Sequence, residues 1–234
     1  MGSAVRLAGY FAGGLFSGQE LIGNRALAGE IERVSRGMIR IDLPQDMATQ
    51  EEGRDRAIRA EDYLAMIERD FVLANMNGLE LDSGTVAEYM VASMLGMPRV
   101  QFRSDFRNVS DVGKRFGDSV TVRKTTSVPF NLMFCHDESA TVFVNSIELY
   151  KKSNSDPRAF QRKLAVHAVR GIQLALGKTK TCKPDEYESW ELPLVRNLNL
   201  DRAKVRPILR EKKRRHLKPE YQRAVAKILE LKLS

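Results

Sequence analysis

The sequence predicts an α/β fold, a doubly wound parallel sheet of about five strands followed by a C-terminal helical extension. Two observations predict it. Short apolar runs alternate with amphipathic helical patterns along the first part of the chain, and Gly, Pro or Asn-Gly punctuates nearly every change. After about residue 153 only helical patterns remain, and these are strongly basic. Such alternation at this spacing gives right-handed βαβ units, hence a flavodoxin-like or Rossmann-like sheet.

Val5 to Ala12 reads as a buried strand closed by Gly13-Gly14. Ser17-Gly18-Gln19-Glu20 is a capping box, and Leu21, Ile22, Leu27, Ile31 and Val34 carry a helix that Gly37 ends. Met38 to Leu43 is a second strand, stopped by Pro44, and Ala57 to Arg69 a helix with Ile58, Tyr63, Leu64 and Ile67 apolar. Phe71 to Asn75 is a third strand before the Asn77-Gly78 turn. Thr85 to Leu95 is a helix, with Gly96 and Pro98 behind it and a fourth strand at Arg99 to Phe102. Ser104 to Thr126 is polar and irregular, the pattern of a flap; Thr141 to Val144 is a strand, and a short helix starts at Ser146. Asp156-Pro157 opens a longer helix ending at Gly177, and two more helical stretches lie near Asp201 to Lys213 and Pro219 to Leu233. The expected organisation is a domain over 1–153 and a basic helical extension over 154–234.

Composition narrows the function. The 234 residues are 43% hydrophobic, enough for a real core, and no stretch approaches the roughly 20 apolar residues of a membrane span. Met1 to Ser17 reads as a strand and its loop, not a signal peptide. Cys135 and Cys182 are too few for a disulfide framework, and His136, His167 and His216 lack metal-ligand spacing, so a cytoplasmic protein with no metal is expected. Neither a phosphate-binding Walker loop nor the dinucleotide G-x-G-x-x-G is present, so no cofactor is expected. The net charge of +8 is uneven: 1–150 holds 16 basic and 21 acidic residues, whereas 151–234 holds 22 and 9. The run from Arg202 to Arg215 could bind a polyanion, but such runs are commonly solvated helix faces, and no interleaved aromatics support base stacking.

In a doubly wound sheet, ligands sit beyond the carboxyl ends of the strands. That draws attention to the carboxylates near those loops, Asp42, Asp62, Asp82 and Glu88. Asp82 falls in the loop after a strand and Glu88 in the early turns of the next helix, where a helix N-terminus favours an ionised carboxylate, the form a nucleophile at a sugar carbon needs. The same spacing has a plainer reading, with Thr85-x-x-Glu88 a capping box and Glu88 reaching back to the Thr85 amide. On spacing alone both readings stand.

Four motifs in order add to this. Tyr10-Phe11-Ala12-Gly13-Gly14-Leu15-Phe16-Ser17, Asp42-Leu43-Pro44-Gln45, Asp82-Ser83-Gly84-Thr85-x-x-Glu88 and Val128-Pro129-Phe130-Asn131-Leu132-Met133 together resemble the nucleoside 2-deoxyribosyltransferase family, the last motif most like its protozoan-type branch. The resemblance covers about residues 4–150. It implies a double displacement in which Glu88 attacks C1′ and forms a deoxyribosyl ester. Tyr10 would orient Glu88, Asp62 would assist protonation of the base, and Asp82 would bind the 5′-hydroxyl. Gln45 matches a base-contacting glutamine, while Gly13 and Phe16 belong to the substrate-binding loop after the first strand. Asn131 and Met133 match residues that reach into a neighbouring subunit, so a homo-oligomer is implied, with a deoxynucleoside and a free nucleobase as ligands. Two other readings accompany it: an N-glycosidase of 2-deoxynucleoside 5′-monophosphates, kept open by Ser83, Arg103, Arg107 and Arg115, and a non-catalytic nucleotide- or nucleic-acid-binding protein using the basic tail. Without the family, Tyr10, Phe16 and Met133 read as core residues, Asp62 as a solvated helix residue, Gln45 as an ordinary loop residue and Asn131 as a turn residue.

Overall fold

A computed structural model describes residues 5–47, 55–78, 81–105, 119–122, 139–177 and 181–233. Strands β1 (Leu7–Ala12), β2 (Ile39–Asp42), β3 (Phe71–Asn75), β4 (Arg99–Arg103), β5 (Ser119–Val122) and β6 (Ala140–Phe143) form one sheet in the order β2-β1-β3-β4-β6-β5. The five strands expected from the sequence are parallel, and β5 adds an antiparallel edge against β6. That edge strand lies inside the stretch expected as a flap. Its Ser-Val-Thr-Val alternation is a strand pattern that the polar neighbourhood conceals.

Helix α1 (Gly18–Val34) starts at a true capping box, with Glu20 N–H donated to Ser17 Oγ and the Ser17 N–H to Glu20 Oε2. After β2 comes a single turn, α2 (Pro44–Met47), then α3 (Asp55–Glu68), α4 (Ser83–Met94) and α5 (Ser146–Lys152). Beyond these lie α6 (Pro157–Gly177), a 3₁₀ helix (Pro184–Trp190), α7 (Glu191–Asn197), α8 (Arg202–His216) and α9 (Pro219–Leu229). The 3₁₀ helix and α7 were not expected. Tyr187, Trp190 and Leu194 are nevertheless all buried on one side of that stretch, at the three- and four-residue intervals of a helical face.

Strand parity sorts the core into two layers. Leu7, Phe11, Phe71 and Leu73 face α1, α6 and α9, while Tyr10, Ala12, Val72 and Ala74 face α3, α4, the 3₁₀ helix and α8. The helices after residue 153 thus supply covering layers on both faces of the sheet. Helix α6 approaches so closely that a Cβ on Gly171 would lie 2.3 Å from Val142 Cγ2 and 2.9 Å from Val100 Cγ1.

Asp70, just before β3, ties the C-terminal helices to the sheet end remote from the loops after the strands. Its Oδ2 accepts the Ala8 N–H at 2.7 Å; its Oδ1 accepts from Arg215 and from His216 Nε2, each at 2.8 Å. Tyr187 lies 2.8 Å from the other His216 ring nitrogen, and Tyr221 stacks on the imidazole at 4.1 Å. Burial lowers the His216 pKa to about 4, so the ring is neutral, donating from Nε2 and accepting the Tyr187 proton at Nδ1. Lys212, also buried, donates to the backbone carbonyls of Ile67, at 3.0 Å, and Arg69. Among the described residues no helix is long and apolar enough to cross a membrane.

Candidate active site

Tyr10 lies on the even face of β1, near its carboxyl end, and is fully buried. That parity aims its ring at α4, and its hydroxyl donates to Glu88 Oε1 at 2.5 Å. Residues 78 apart in sequence are therefore joined because one strand face and one helix face point into the same layer.

The register of α4 decides what Glu88 can do. Asp82, not Thr85, is the N-cap: its Oδ2 accepts the Thr85 N–H at 2.7 Å and the Thr85 hydroxyl at 2.8 Å. The helix starts two residues earlier than its sequence pattern implies, and the amide that a Glu88 capping box needs is already taken. The capping-box reading of Thr85-x-x-Glu88 is thereby corrected, and the Glu88 carboxylate is available to Tyr10.

Glu88 does not remain a fully ionised carboxylate, as a place near a helix N-terminus led us to expect. Burial is the largest influence and raises its pKa, and the charges of Asp62 and Asp82 add to this. The Tyr10 hydrogen bond opposes them without winning, and the pKa stands at about 7. Glu88 sits in the second turn of α4, and a helix dipole acts chiefly within the first turn. The Tyr10 pKa is pushed far above its usual value by burial first and then by Glu88, so the phenol keeps its proton and acts as a donor.

Glu88 lines a cavity of about 450 Å³ between two helices. One wall is α4, with Ser83, Gly84, Ala87 and Glu88; the other is α3, with Ile58, Arg59, Asp62 and Tyr63. Asp62 has a raised pKa, from burial and then the charge of Glu61. A larger cavity of about 810 Å³ opens on the other side of the α4 N-terminus and shares Ser83 with the first. Asp82 and Phe16 line it, and Phe16 is 83% exposed. Among the described residues its charged lining groups are the carboxylates of Glu20 and Asp82, with no Lys or Arg.

The structure thus brings Glu88, Tyr10 and Asp62 together and sets Asp82 and Phe16 beside the neighbouring cavity. Gln45 borders neither; its amide donates to the Leu21 carbonyl at 3.1 Å. Gly13 also lines neither, and a Cβ there would lie 2.6 Å from the Phe11 ring, so close packing requires glycine. Asp42 is engaged by Arg40 and Arg69. Asn131 and Met133, like Arg107 and Arg115, lie outside the described residues. Arg103 is buried, donating to the carbonyls of Met76 and Gly78. Arg59 and Tyr63 did not stand out in the sequence, although their four-residue spacing, with Asp62 between them, puts all three on adjoining parts of one helix face.

The family model described as nucleoside 2-deoxyribosyltransferase matches residues 10–133, more than half of the chain. The chain belongs to the nucleoside 2-deoxyribosyltransferase family. This is a family of glycosyltransferase-like and N-glycosidase enzymes. The matched span includes the second half of β1 with Tyr10, α3 with Asp62 and α4 with Glu88, and ends before α5. No curated protein matches the chain. A conserved protein from Enterococcus faecalis V583, known from a crystal structure, is similar at 30% identity over 42% of this chain and 64% of its own, with a TM-score of 0.36. The chain therefore spans less than two thirds of that protein's length.

The basic run is largely engaged. Arg202 and Arg206 pair with Glu191, Lys213 with Glu188, Arg214 with Glu211 and Arg215 with Asp70, while Lys212 is buried.

Proposed function

We propose that the chain exchanges the base of 2-deoxynucleosides through a covalent deoxyribosyl ester on Glu88. The observation that carries this is the 2.5 Å hydrogen bond from the buried Tyr10 hydroxyl to Glu88, which lines one cavity together with Asp62. Ionised Glu88 attacks C1′ with the oxygen that Tyr10 leaves free. The N-glycosidic bond breaks, its electron pair goes to the base nitrogen, and Asp62, whose burial favours the protonated carboxyl, delivers a proton to the leaving base. A second base then attacks C1′, the ester C–O bond breaks, Glu88 recovers its charge, and the incoming base's proton returns to Asp62. Two carboxyl groups in one partly dry cavity suit this division, because burial raises the proton affinity of both and the charge of Asp62 raises that of Glu88 further.

The rival reading is hydrolysis of 2-deoxynucleoside 5′-monophosphates. With Asp82 at the 5′ side, the adjoining cavity offers carboxylates rather than cations among its described lining residues. That supports an uncharged 5′-hydroxyl over a phosphate of about −2 charge.

The test is base exchange between 2-deoxyinosine and free adenine or cytosine, followed by chromatography. New deoxynucleoside should form, and Glu88→Ala should lower its rate by about a thousandfold or more. The wild-type kcat/KM should rise with pH through about 7 as Glu88 ionises. Release of base without exchange, faster from the 5′-monophosphate than from the nucleoside, would replace the transferase by the hydrolase.

A further inference from the structure

The two walls of the Glu88 cavity are unequal. The α4 wall is nearly flat, because Ser83, Gly84 and Ala87 are small. The α3 wall carries the cationic and aromatic groups, Arg59 and Tyr63, together with Asp62. An in-line displacement at C1′ requires the leaving base to lie on the side of the sugar away from the nucleophile. With Glu88 on α4, the sugar rests against the flat wall and the base faces α3.

Arg59 is held in place there. Its Nη1 donates to the Leu198 carbonyl at 3.0 Å, and its guanidinium stands over the Tyr63 ring at 5.0 Å from the centroid. Leu198 belongs to the turn between α7 and α8, so a segment outside the family-matched span fixes a side chain of the cavity wall. Fixing the guanidinium lowers the entropy lost when it binds a ligand, and the bond to Leu198 uses a single N–H of its fork. Asp62, three residues on along the same helix, lines the same cavity.

We propose that Arg59 is a specificity-determining residue that selects 6-oxopurines, such as hypoxanthine, over 6-aminopurines as the departing and entering base. The inference rests on the transferase reading above. A 6-oxopurine presents adjacent acceptors, O6 and N7, to the α3 wall. The Arg59 N–H groups donate to O6 while the Asp62 carboxyl addresses N7. Adenine places an amino group where O6 would be, so the guanidinium meets a donor instead of an acceptor. A site built to hydrogen-bond one group rejects a substrate that leaves its donor unmatched.

The experiment measures kcat/KM for base release from 2-deoxyinosine and from 2-deoxyadenosine, using the full chain and its Arg59→Ala and Arg59→Glu variants. Circular dichroism checks that each variant is folded. The wild type should favour 2-deoxyinosine by about tenfold or more. Arg59→Ala should bring the ratio to within about threefold of unity, and Arg59→Glu, which accepts from an amino group, should invert it. A purely structural strap to Leu198 would change both substrates alike, so equal losses in both variants would overturn the proposal, as would a wild-type preference for 2-deoxyadenosine. If either variant fails to fold, the ratio from the other decides. A wild-type chain inert on both nucleosides would overturn the transferase reading and this one with it.

Discussion

At the scale of single residues, Glu88 shows two general effects in competition. A helix dipole near its first turn is worth about 0.3–1 kcal/mol, whereas burial of a carboxylate can move its pKa by several units. Burial wins, and the pKa rises to about 7. The folded chain therefore binds more protons at Glu88 than the unfolded chain between about pH 4.5 and about pH 7. Stability contributed by this group is present below that window and is lost as pH rises through it. Glu88→Gln keeps the shape and an acceptor for Tyr10 but cannot ionise. It should stabilise the fold at pH 8 by on the order of 2 kcal/mol in urea titrations, with little effect at pH 4, while abolishing exchange. An unchanged midpoint at pH 8 would contradict this. Topology drew attention to Glu88 among four carboxylates, and the family motif gave it the nucleophile's role. Its spacing equally suited a cap, and what decides between the two is the Asp82 side chain reaching the Thr85 amide, a contact no period reveals.

At the scale of elements, legibility followed local chemistry. The strands from Leu7, Ile39, Phe71 and Arg99 and the helices behind them announced themselves by period and punctuation. Helix α1 even announced its capping box. What escaped depended on distant partners. Ser119–Val122 becomes a strand because β6 offers it an edge, and Pro184–Trp190 becomes helical with its aromatics packed on α8 and Lys212 near both rings. Gly171 is a third case, unremarkable in a helical pattern until α6 is laid against Val100 and Val142. Ala there should gain about 1 kcal/mol of helix propensity, but the 2.3 Å approach forces a repacking cost of about 1–3 kcal/mol. Overpacking should prevail, so Gly171→Ala is expected to lower the melting temperature. A rise would show that the sheet yields more readily than this packing implies.

Across the whole molecule, the C-terminal helices brace α3, the wall on which Arg59 and Asp62 stand. Leu198 holds Arg59 near one end, while Lys212 and Arg215 bond the carbonyls of Ile67, Glu68 and Arg69 at the other. The anchor at that far end is pH-sensitive. The His216 pKa falls from 6.5 to about 4, chiefly through burial, with Lys212 and Arg215 adding to the fall and Asp70 opposing it; Tyr187 and Tyr221 enclose the ring. A histidine with a lowered folded pKa gives stability that is present above about 6.5 and is lost as pH falls towards 4. Lys212, lowered from 10.5 to about 7, and Asp70, also lowered, act in the same sense in higher and lower windows. Glu88 acts in the opposite sense between about 4.5 and 7. Between pH 7.5 and 5 the His216 loss and the Glu88 gain are each on the order of 2 kcal/mol, so the wild-type unfolding free energy should be nearly flat. Removing one side of that balance exposes the other. Glu88→Gln should lose on the order of 2 kcal/mol over the same interval, read by urea unfolding at the two pH values. If the variant stays as flat as the wild type, the His216 anchor does not titrate in this range.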